Sequence, residues 1–152
     1  MKIALLVSDN LWPGFPDTRE DVFEYTEEVG TLTPAFAAEG LELIPIRWRE
    51  AAEQASEFAA MMPLMVWDYF EGNEVAFLSE MAKAEQQTKL FNPFDVLRWN
   101  ANKSYLDELE ARGAPVIQTM TVERVTETNV TRAFEDLQTD TLVIKPQVGG
   151  GA

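Results

Sequence analysis

Cysteine and histidine are both absent from this 152-residue chain. The lack of cysteine excludes disulfide scaffolds, thiolate zinc sites and cysteine nucleophiles. The lack of histidine excludes hydrolases of the Ser-His-Asp class and metal sites built on imidazole. Hard cations held by oxygen atoms, such as Mg²⁺, are therefore the metals that the composition still permits.

Basic residues and long apolar runs are both scarce. The chain has 12 Lys and Arg against 26 Asp and Glu, a formal net charge of -14. This charge opposes attraction to nucleic acid or to an anionic membrane surface, so we expect neither partner. The apolar run at residues 3–7 is too short for a signal peptide, and the run at residues 58–67 is too short for a membrane span. We therefore expect a cytoplasmic protein.

Strands and helices alternate along the first two thirds of the chain, whose composition of 46% hydrophobic and 25% charged residues is typical of a globular protein. The apolar pattern predicts an α/β fold with a parallel sheet. Strands are predicted at 3–7, 41–46, 61–67, 89–91, 115–117 and 141–145. Helices are predicted at 19–29 (ended by Gly30), 31–39 (ended by Gly40), 48–58, 73–87 and 100–112 (ended by Gly113), with a helix-loop-helix at 121–137.

Polar residues follow the first and third predicted strands directly. Ser8 and Asp9 come after the first, and Asp68 and Tyr69 after the third. Ligands of open α/β sheets lie beyond the carboxyl ends of the strands, so these four are candidate substrate contacts. A turn, a helix cap or a purely structural role is the alternative for each. No G-x-G-x-x-G follows the first strand, so a dinucleotide site is not predicted.

Two separated lysines and a glycine run indicate a polyphosphate site. Lys103 is predicted at the start of an amphipathic helix, Lys145 ends an apolar strand, and Gly149, Gly150 and Gly151 follow it. Lysine side chains and backbone N–H groups together neutralise and position phosphates. The alternative is that both lysines are simply solvated.

Several short motifs occur in an order that resembles a known superfamily. They are Trp67-Asp68-Tyr69, Phe91-Asn92-Pro93, the W-N-x-N-K-x-Y-L run from Trp99 to Leu106, and Val143-Ile144-Lys145-Pro146 before the glycines. This order resembles the ATP-grasp superfamily, in its glutathione-synthetase-like branch that includes the cycloserine-forming cyclo-ligases. The resemblance implies a Rossmann-like pre-ATP-grasp domain at 1–95 and the beginning of an incomplete ATP-grasp α+β domain at 96–152.

The resemblance also implies an activity. Such enzymes are ATP-dependent ligases that join a small-molecule carboxylate to an amine through an acyl phosphate, here on an amino-acid-like substrate. Lys103 and Lys145 match the lysines that contact the nucleotide phosphates, and Gly149 to Gly151 match the start of the loop that covers them. The Mg²⁺ ligands are expected in a later half that this chain does not include. We therefore expect ATP and Mg²⁺ as cofactors and no catalysis by this chain alone.

Departures from the family pattern keep a second function open. Leu64-Met65-Val66 stands where an arginine is common, and Gln118 stands where proline is usual. The alternative is a non-catalytic α/β module, derived from such a ligase, that binds a small ligand or a protein. Trp12 and Phe15, in a loop rich in Pro and Gly, are candidates for a lid or a homodimer contact. Trp67 and Trp99 are expected in the core.

Overall fold

A parallel sheet with strand order β2-β1-β3-β4 organises the first part of the chain. The computed structural model describes residues 1–149. They divide into two units, one of residues 1–101 with 148 and 149, the other of residues 102–147. The first unit contains β1 (Lys2–Val7), α1 (Phe23–Ala38), β2 (Glu42–Arg47), α2 (Ala51–Gln54), β3 (Ala60–Met65), α3 (Glu74–Glu85), β4 (Lys89–Leu90) and α4 (Phe94–Asn100). The second contains α5 (Tyr105–Ala111) and α6 (Glu127–Asp136).

Strand β1 is one of the two inner strands of the sheet. It pairs in parallel with β2 on one side and with β3 on the other, and residues Ile3 to Val7 are all buried. The strand order therefore reverses direction beside β1, and such a switch point is where open α/β sheets bind ligands. The predicted α/β class with a parallel sheet is confirmed. The predicted boundary between residues 95 and 96 stays a prediction.

Core residues cover both faces of the sheet. Ala4 and Leu6 of β1 pack with Trp48, Phe77 and Met81 on one face. The alternate residues of β1 pack on the other face with the stripe from α1, which comprises Tyr25, Val29, Leu32 and Phe36. Side chains of a strand alternate between its faces, so burial on both sides explains the continuous apolar run at residues 3–7.

Helix α1 is one continuous helix, and its predicted end at Gly30 is wrong. Helix α1 also contains Pro34. The stripe that packs on the sheet has helical spacing across both residues, and this packing outweighs the local preference of Gly and Pro to end a helix. The predicted helix end at Gly40 is confirmed. Gly40 has a φ of +71°, and the Leu41 N–H donates to the Phe36 carbonyl, which closes the last turn.

Two prolines lie within strands, each at a position that tolerates the missing N–H. Pro45 lies in β2, which is the edge strand that the sequence predicts. Pro63 lies in β3, an inner strand, where the register between β1 and β3 shifts after the Leu5–Met62 pair. The irregularity accommodates the proline that a regular inner strand would exclude.

The second unit differs most from its prediction. The helix predicted at 100–112 begins later, as α5 at Tyr105; residue 100 is the last of α4, and residues 101–104 separate the two helices. The predicted helix-loop-helix is the single helix α6, capped by the Thr126 side chain. Segments 115–117 and 141–145 are not strands. A strand exists only as part of a hydrogen-bonded ladder, so apolar β-branched residues alone do not create one. Gly113 ends α5 as predicted, with φ +84°.

Among the helices of residues 1–149, none has both the length and the apolar character that crossing a membrane requires.

Candidate functional site at the carboxyl ends of the strands

Asp68 is a buried acidic residue just beyond the carboxyl end of β3. Its side chain is only 4% exposed. The Trp48 indole Nε1–H donates to Asp68 Oδ1 at 2.7 Å, and the Asp9 backbone N–H lies 3.4 Å from Oδ2. The Asn73 amide donates to the Asp68 carbonyl at 2.9 Å. One carboxylate therefore connects the segments that follow all three longer strands.

The environment of Asp68 opposes its ionisation. Burial raises the pKa of its carboxyl above the usual value, whereas the hydrogen bonds from Trp48 and the Asp9 backbone and the charge of Arg49 act in the opposite direction. Desolvation is the largest of these effects. A carboxyl group whose pKa is raised in a crevice is a frequent feature of functional sites.

Two arginines from the carboxyl end of β2 reach over the end of β1. Arg49 Nε donates to Asp9 Oδ2 at 2.8 Å, and its Nη2 donates to Asn73 Oδ1 at 2.9 Å. The same guanidinium lies 4.2 Å from the centroid of the Trp48 ring. Arg47 approaches the other oxygen of Asp9 at 3.7 Å and also pairs with Glu50. The crevice thus contains charges of both signs.

Three consecutive residues after β1 each carry a buried acceptor that lacks a hydrogen-bond partner. These atoms are Ser8 Oγ, Asp9 Oδ1 and Asn10 Oδ1. Ser8 is fully buried and Asn10 is 9% exposed. Buried polar atoms are nearly always hydrogen-bonded, so the three together mark a place where donors are missing.

The structure brings together three of the four predicted substrate contacts. Ser8, Asp9 and Asp68 meet at the crevice, and the Ser8 N–H continues the β1–β3 pairing by donating to the Met65 carbonyl at 2.9 Å. Tyr69 instead packs its ring 5.7 Å from that of Phe77, within the core. Ser8 also precedes a short 3-10 helix, Asp9–Leu11, but its side chain makes no capping hydrogen bond.

Sequence reasoning missed the contribution of β2 to this site. Arg47 is the last residue of that strand, and Trp48 and Arg49 follow it, at the edge of the sheet where ligands are expected. Asn73 completes the set. The signal was available, since two arginines flank a tryptophan directly after a predicted strand. The helix predicted at 48–58 is found only in the middle of that segment, as α2 (Ala51–Gln54).

The aromatic residues only partly match their expected positions. Trp67 packs against the core, with the Arg19 guanidinium 5.3 Å from its ring. Trp99 is 37% exposed, because α4 packs on the core through Phe94 and Leu97, one turn apart on another face. Trp12 and Phe15, expected to be exposed, are both half-buried, and Trp12 contacts Tyr25 edge to face at 5.9 Å.

The predicted phosphate-binding lysines lie in the second unit. Lys103 is in the turn before α5, so its predicted place within a helix is wrong; its backbone N–H donates to the Gln147 carbonyl at 2.8 Å. Asn102 Oδ1 accepts from the Ser104 N–H at 3.0 Å and fixes this turn. Lys145, two residues before Gln147, is exposed. Gly149 is described, whereas Gly150 and Gly151 lie outside the described residues.

The segments around Lys103 and Lys145 carry both cationic side chains and a buried acceptor. Within the part of the chain that the structure describes, no three Asp or Glu residues are grouped in a way that would hold a metal. The turn at Lys103 lies beside the segment that carries Lys145, and Gln147 Oε1 there is buried and lacks a partner. Cationic lysine side chains suit a phosphate, whereas the Gln147 oxygen only accepts and suits a donor. The phosphate site and the Mg²⁺ ligands both stay predictions.

Comparisons with known proteins agree with one another. Residues 3–92 match the family model described as D-cycloserine synthetase DcsG, N-terminal domain. The chain is 32% identical over 75 residues to the cycloserine biosynthesis protein DcsG of Streptomyces lavendulae, covering 49% of this chain and 25% of that protein. The crystal structure of D-cycloserine synthetase DcsG superposes with a TM-score of 0.74 and 24% identity, over 99% of this chain and 48% of that one.

The two kinds of comparison support different statements. The structural match establishes the fold, and this chain spans about half the length of the solved structure. The family model matches more than half of the chain, including β1, β3 and the crevice residues that follow them. The predicted resemblance to the cycloserine-forming group is confirmed. The chain belongs to the family of D-cycloserine synthetase N-terminal domains.

Proposed function

We propose that this chain is the N-terminal portion of an ATP-dependent carboxylate-amine ligase that acts on a small amino-acid-like substrate. Its membership of the D-cycloserine synthetase family supports a ligase-like role. The observation that carries the proposal is the crevice, where Asp68, Asp9 and Arg49 meet at the switch point of the sheet. A substrate with an ammonium and a carboxylate group finds groups of opposite charge for both of its ends.

The nucleotide contacts in this proposal come from the second unit. Lys103 and Lys145 neutralise the phosphates of ATP. Phosphoryl transfer needs positioning and charge neutralisation more than a covalent nucleophile, so the absence of Cys and His from the sequence is no obstacle. Bound Mg²⁺ would supply further neutralisation of the phosphates.

The proposed reaction proceeds in two steps. The substrate carboxylate attacks the γ-phosphorus of ATP and releases ADP, which gives an acyl phosphate. An amine then attacks the acyl carbon, and inorganic phosphate leaves. Because the Mg²⁺ ligands are expected elsewhere, the 152-residue chain alone is predicted to be inactive.

Titration with a fluorescent ATP analogue tests the nucleotide half of this proposal. We expect saturable binding to the chain that is lost in K103A and in K145A. K83A is the matched control, because Lys83 is exposed on α3, where it pairs with Glu80 at 3.9 Å. Absence of saturable binding by the folded chain, or an equal loss in K83A, would overturn the nucleotide role.

A non-catalytic binding module is the second candidate, favoured by the closed polar crevice itself. In that case small amino acids bind at the crevice, whereas the ATP analogue does not bind and K145A has no effect. Amino-acid binding together with nucleotide binding supports the ligase instead.

A further inference from the structure

The Arg49 side chain lies across the crevice like a strap. It starts beyond β2 and hydrogen-bonds to Asp9, beyond β1, and to Asn73, beyond β3. Its guanidinium stacks on the buried Trp48 ring, and its side chain is 41% exposed. Arg49 therefore forms the outer surface of the site, with the residues after β1 beneath it.

Three acceptor atoms lie on the consecutive residues that follow β1. Ser8 Oγ, Asp9 Oδ1 and Asn10 Oδ1 are all buried and without a hydrogen-bond partner. The orientation of the Asn10 amide is fixed, because its Nδ2 donates to Glu71 Oε1 at 3.3 Å and a carboxylate only accepts. The Asn10 oxygen therefore remains directed away from Glu71 and available to a donor.

The chemistry of these atoms specifies the group that completes them. An ammonium group has three N–H donors and no acceptor, which matches three acceptors on consecutive residues, one of them a carboxylate oxygen. A carboxylate or phosphate would instead be repelled by Asp9 and would leave the acceptors unsatisfied. The floor of the crevice thus fits the positive end of a ligand.

The strap must move before such a ligand can bind Asp9, because the acceptor atoms are buried and Arg49 already pairs with that carboxylate. Its bonds to Asp9 and Asn73 are exposed ones. Exposed ion pairs contribute little to stability, and exposed side chains change rotamer within nanoseconds. Arg49 can therefore leave Asp9 without disturbing the sheet.

We propose that Arg49 is a strap over an ammonium-binding floor formed by Ser8, Asp9 and Asn10, and that a zwitterionic ligand opens it by exchanging ion pairs. The ligand ammonium takes the place of Arg49 on Asp9, and the released guanidinium binds the ligand carboxylate. This inference rests on the proposed function in taking an amino-acid-like ligand. It adds that Arg49 both closes the site and determines the requirement for two opposite charges.

Binding measurements with three small probes test the exchange. Alanine carries both charges, ethylamine only the ammonium and propionate only the carboxylate. For the intact chain, followed by ¹⁵N NMR, we expect alanine to bind with shifts at residues 8–10 and 49, ethylamine to bind more weakly and propionate not to bind. Ser8→Ala should weaken alanine binding about tenfold through the lost acceptor.

The Arg49→Gln variant supplies the decisive readout. Ethylamine should bind about tenfold more tightly because the Arg49 ion pair with Asp9 need not be broken, while the longer Arg47 pair at 3.7 Å is present in both chains. Alanine should bind more weakly because its carboxylate loses a partner. Arg98→Gln is the matched control, since Arg98 pairs with Asp95 at 3.0 Å on α4, outside the crevice, and it should change neither probe. Equal weakening of both probes by Arg49→Gln, or no change in either, would overturn the proposal.

These outcomes are independent of the nucleotide test. If Arg49→Gln changes the affinities for ethylamine and alanine in opposite directions but no nucleotide binds, the strap proposal holds and the ligase proposal fails. If nucleotide binding depends on Lys145 but the two affinities do not change in opposite directions in Arg49→Gln, the ligase proposal holds and the strap proposal fails. Arg49 is a surface residue, so this variant keeps the measurement valid even if Ser8→Ala, in the interior, does not fold.

Discussion

The Trp48 indole donates a 2.7 Å hydrogen bond to the buried carboxylate of Asp68. The two residues follow β2 and β3, which are not neighbours, because β1 lies between them in the sheet. The bond therefore crosses the end of the central strand. Arg49 and Asn73 make a second such connection at 2.9 Å, farther from the core. The two bonds thus connect the segments that follow β2 and β3, one in the interior and one at the surface.

Trp48→Phe should cost about 2 kcal/mol of unfolding free energy or more. The change removes a hydrogen bond to a buried carboxylate and leaves that oxygen without its donor. Trp48 is 1% exposed, so water does not replace the indole. Urea unfolding checks this value. Trp99→Phe is the control and should change the free energy by less than about 0.5 kcal/mol, since Trp99 is 37% exposed. Equal losses in the two variants would contradict the role of the bond.

Asp68 should titrate at a pH above the usual 3.8, because burial raises the pKa of its carboxyl. The folded chain then binds this proton more tightly than the unfolded chain does, so ionising Asp68 lowers stability as pH rises from 3.8 through the folded pKa. A ¹³C NMR titration of the carboxyl carbon measures the midpoint.

The same titration in Trp48→Phe should give a still higher midpoint. The indole N–H stabilises the charged carboxylate and so lowers its pKa, an effect that phenylalanine lacks. A midpoint at or below 3.8 in the unmodified chain, or a downward shift in the variant, would show that desolvation does not dominate at Asp68.

Two glycines of one helix should respond to alanine in opposite directions. Gly30 lies inside α1, and an added Cβ meets nothing within 4 Å, so Gly30→Ala should stabilise the chain by about 0.5–1 kcal/mol. Gly40 follows the helix with φ +71°, so Gly40→Ala should destabilise it by about 1 kcal/mol. Urea unfolding of both variants measures the two values, and a shared sign would contradict a continuous α1.

The predictions from sequence that proved correct have a simple physical origin. A strand buried on both faces is a continuous apolar run, so residues 3–7 predict β1. The carboxyl ends of parallel strands meet at one edge of the sheet, which correctly predicts Ser8 and Asp9 near Asp68. That rule depends only on topology, which the strand-helix-strand order already indicated. It required no knowledge of side-chain contacts.

The failures arose where long-range packing overrides local preference. Gly30 and Pro34 are locally typical of helix ends, but the stripe that continues past them packs on the sheet. Arg49 was missed because an arginine after an edge strand is commonly solvated. Its partners Asp9 and Asn73 are 40 and 24 residues away, and nothing in the local sequence indicates that they meet.

The ligase role is tested most directly by a chimera in which this chain replaces the matching half of D-cycloserine synthetase. With ATP, Mg²⁺, small amino acids and hydroxylamine, an acyl phosphate is trapped as a hydroxamate. We predict hydroxamate and ADP in equal amounts, both lost in the Lys145→Ala chimera. A folded chimera that forms ADP without hydroxamate, forms neither product, or is unaffected by Lys145→Ala would contradict the proposed function.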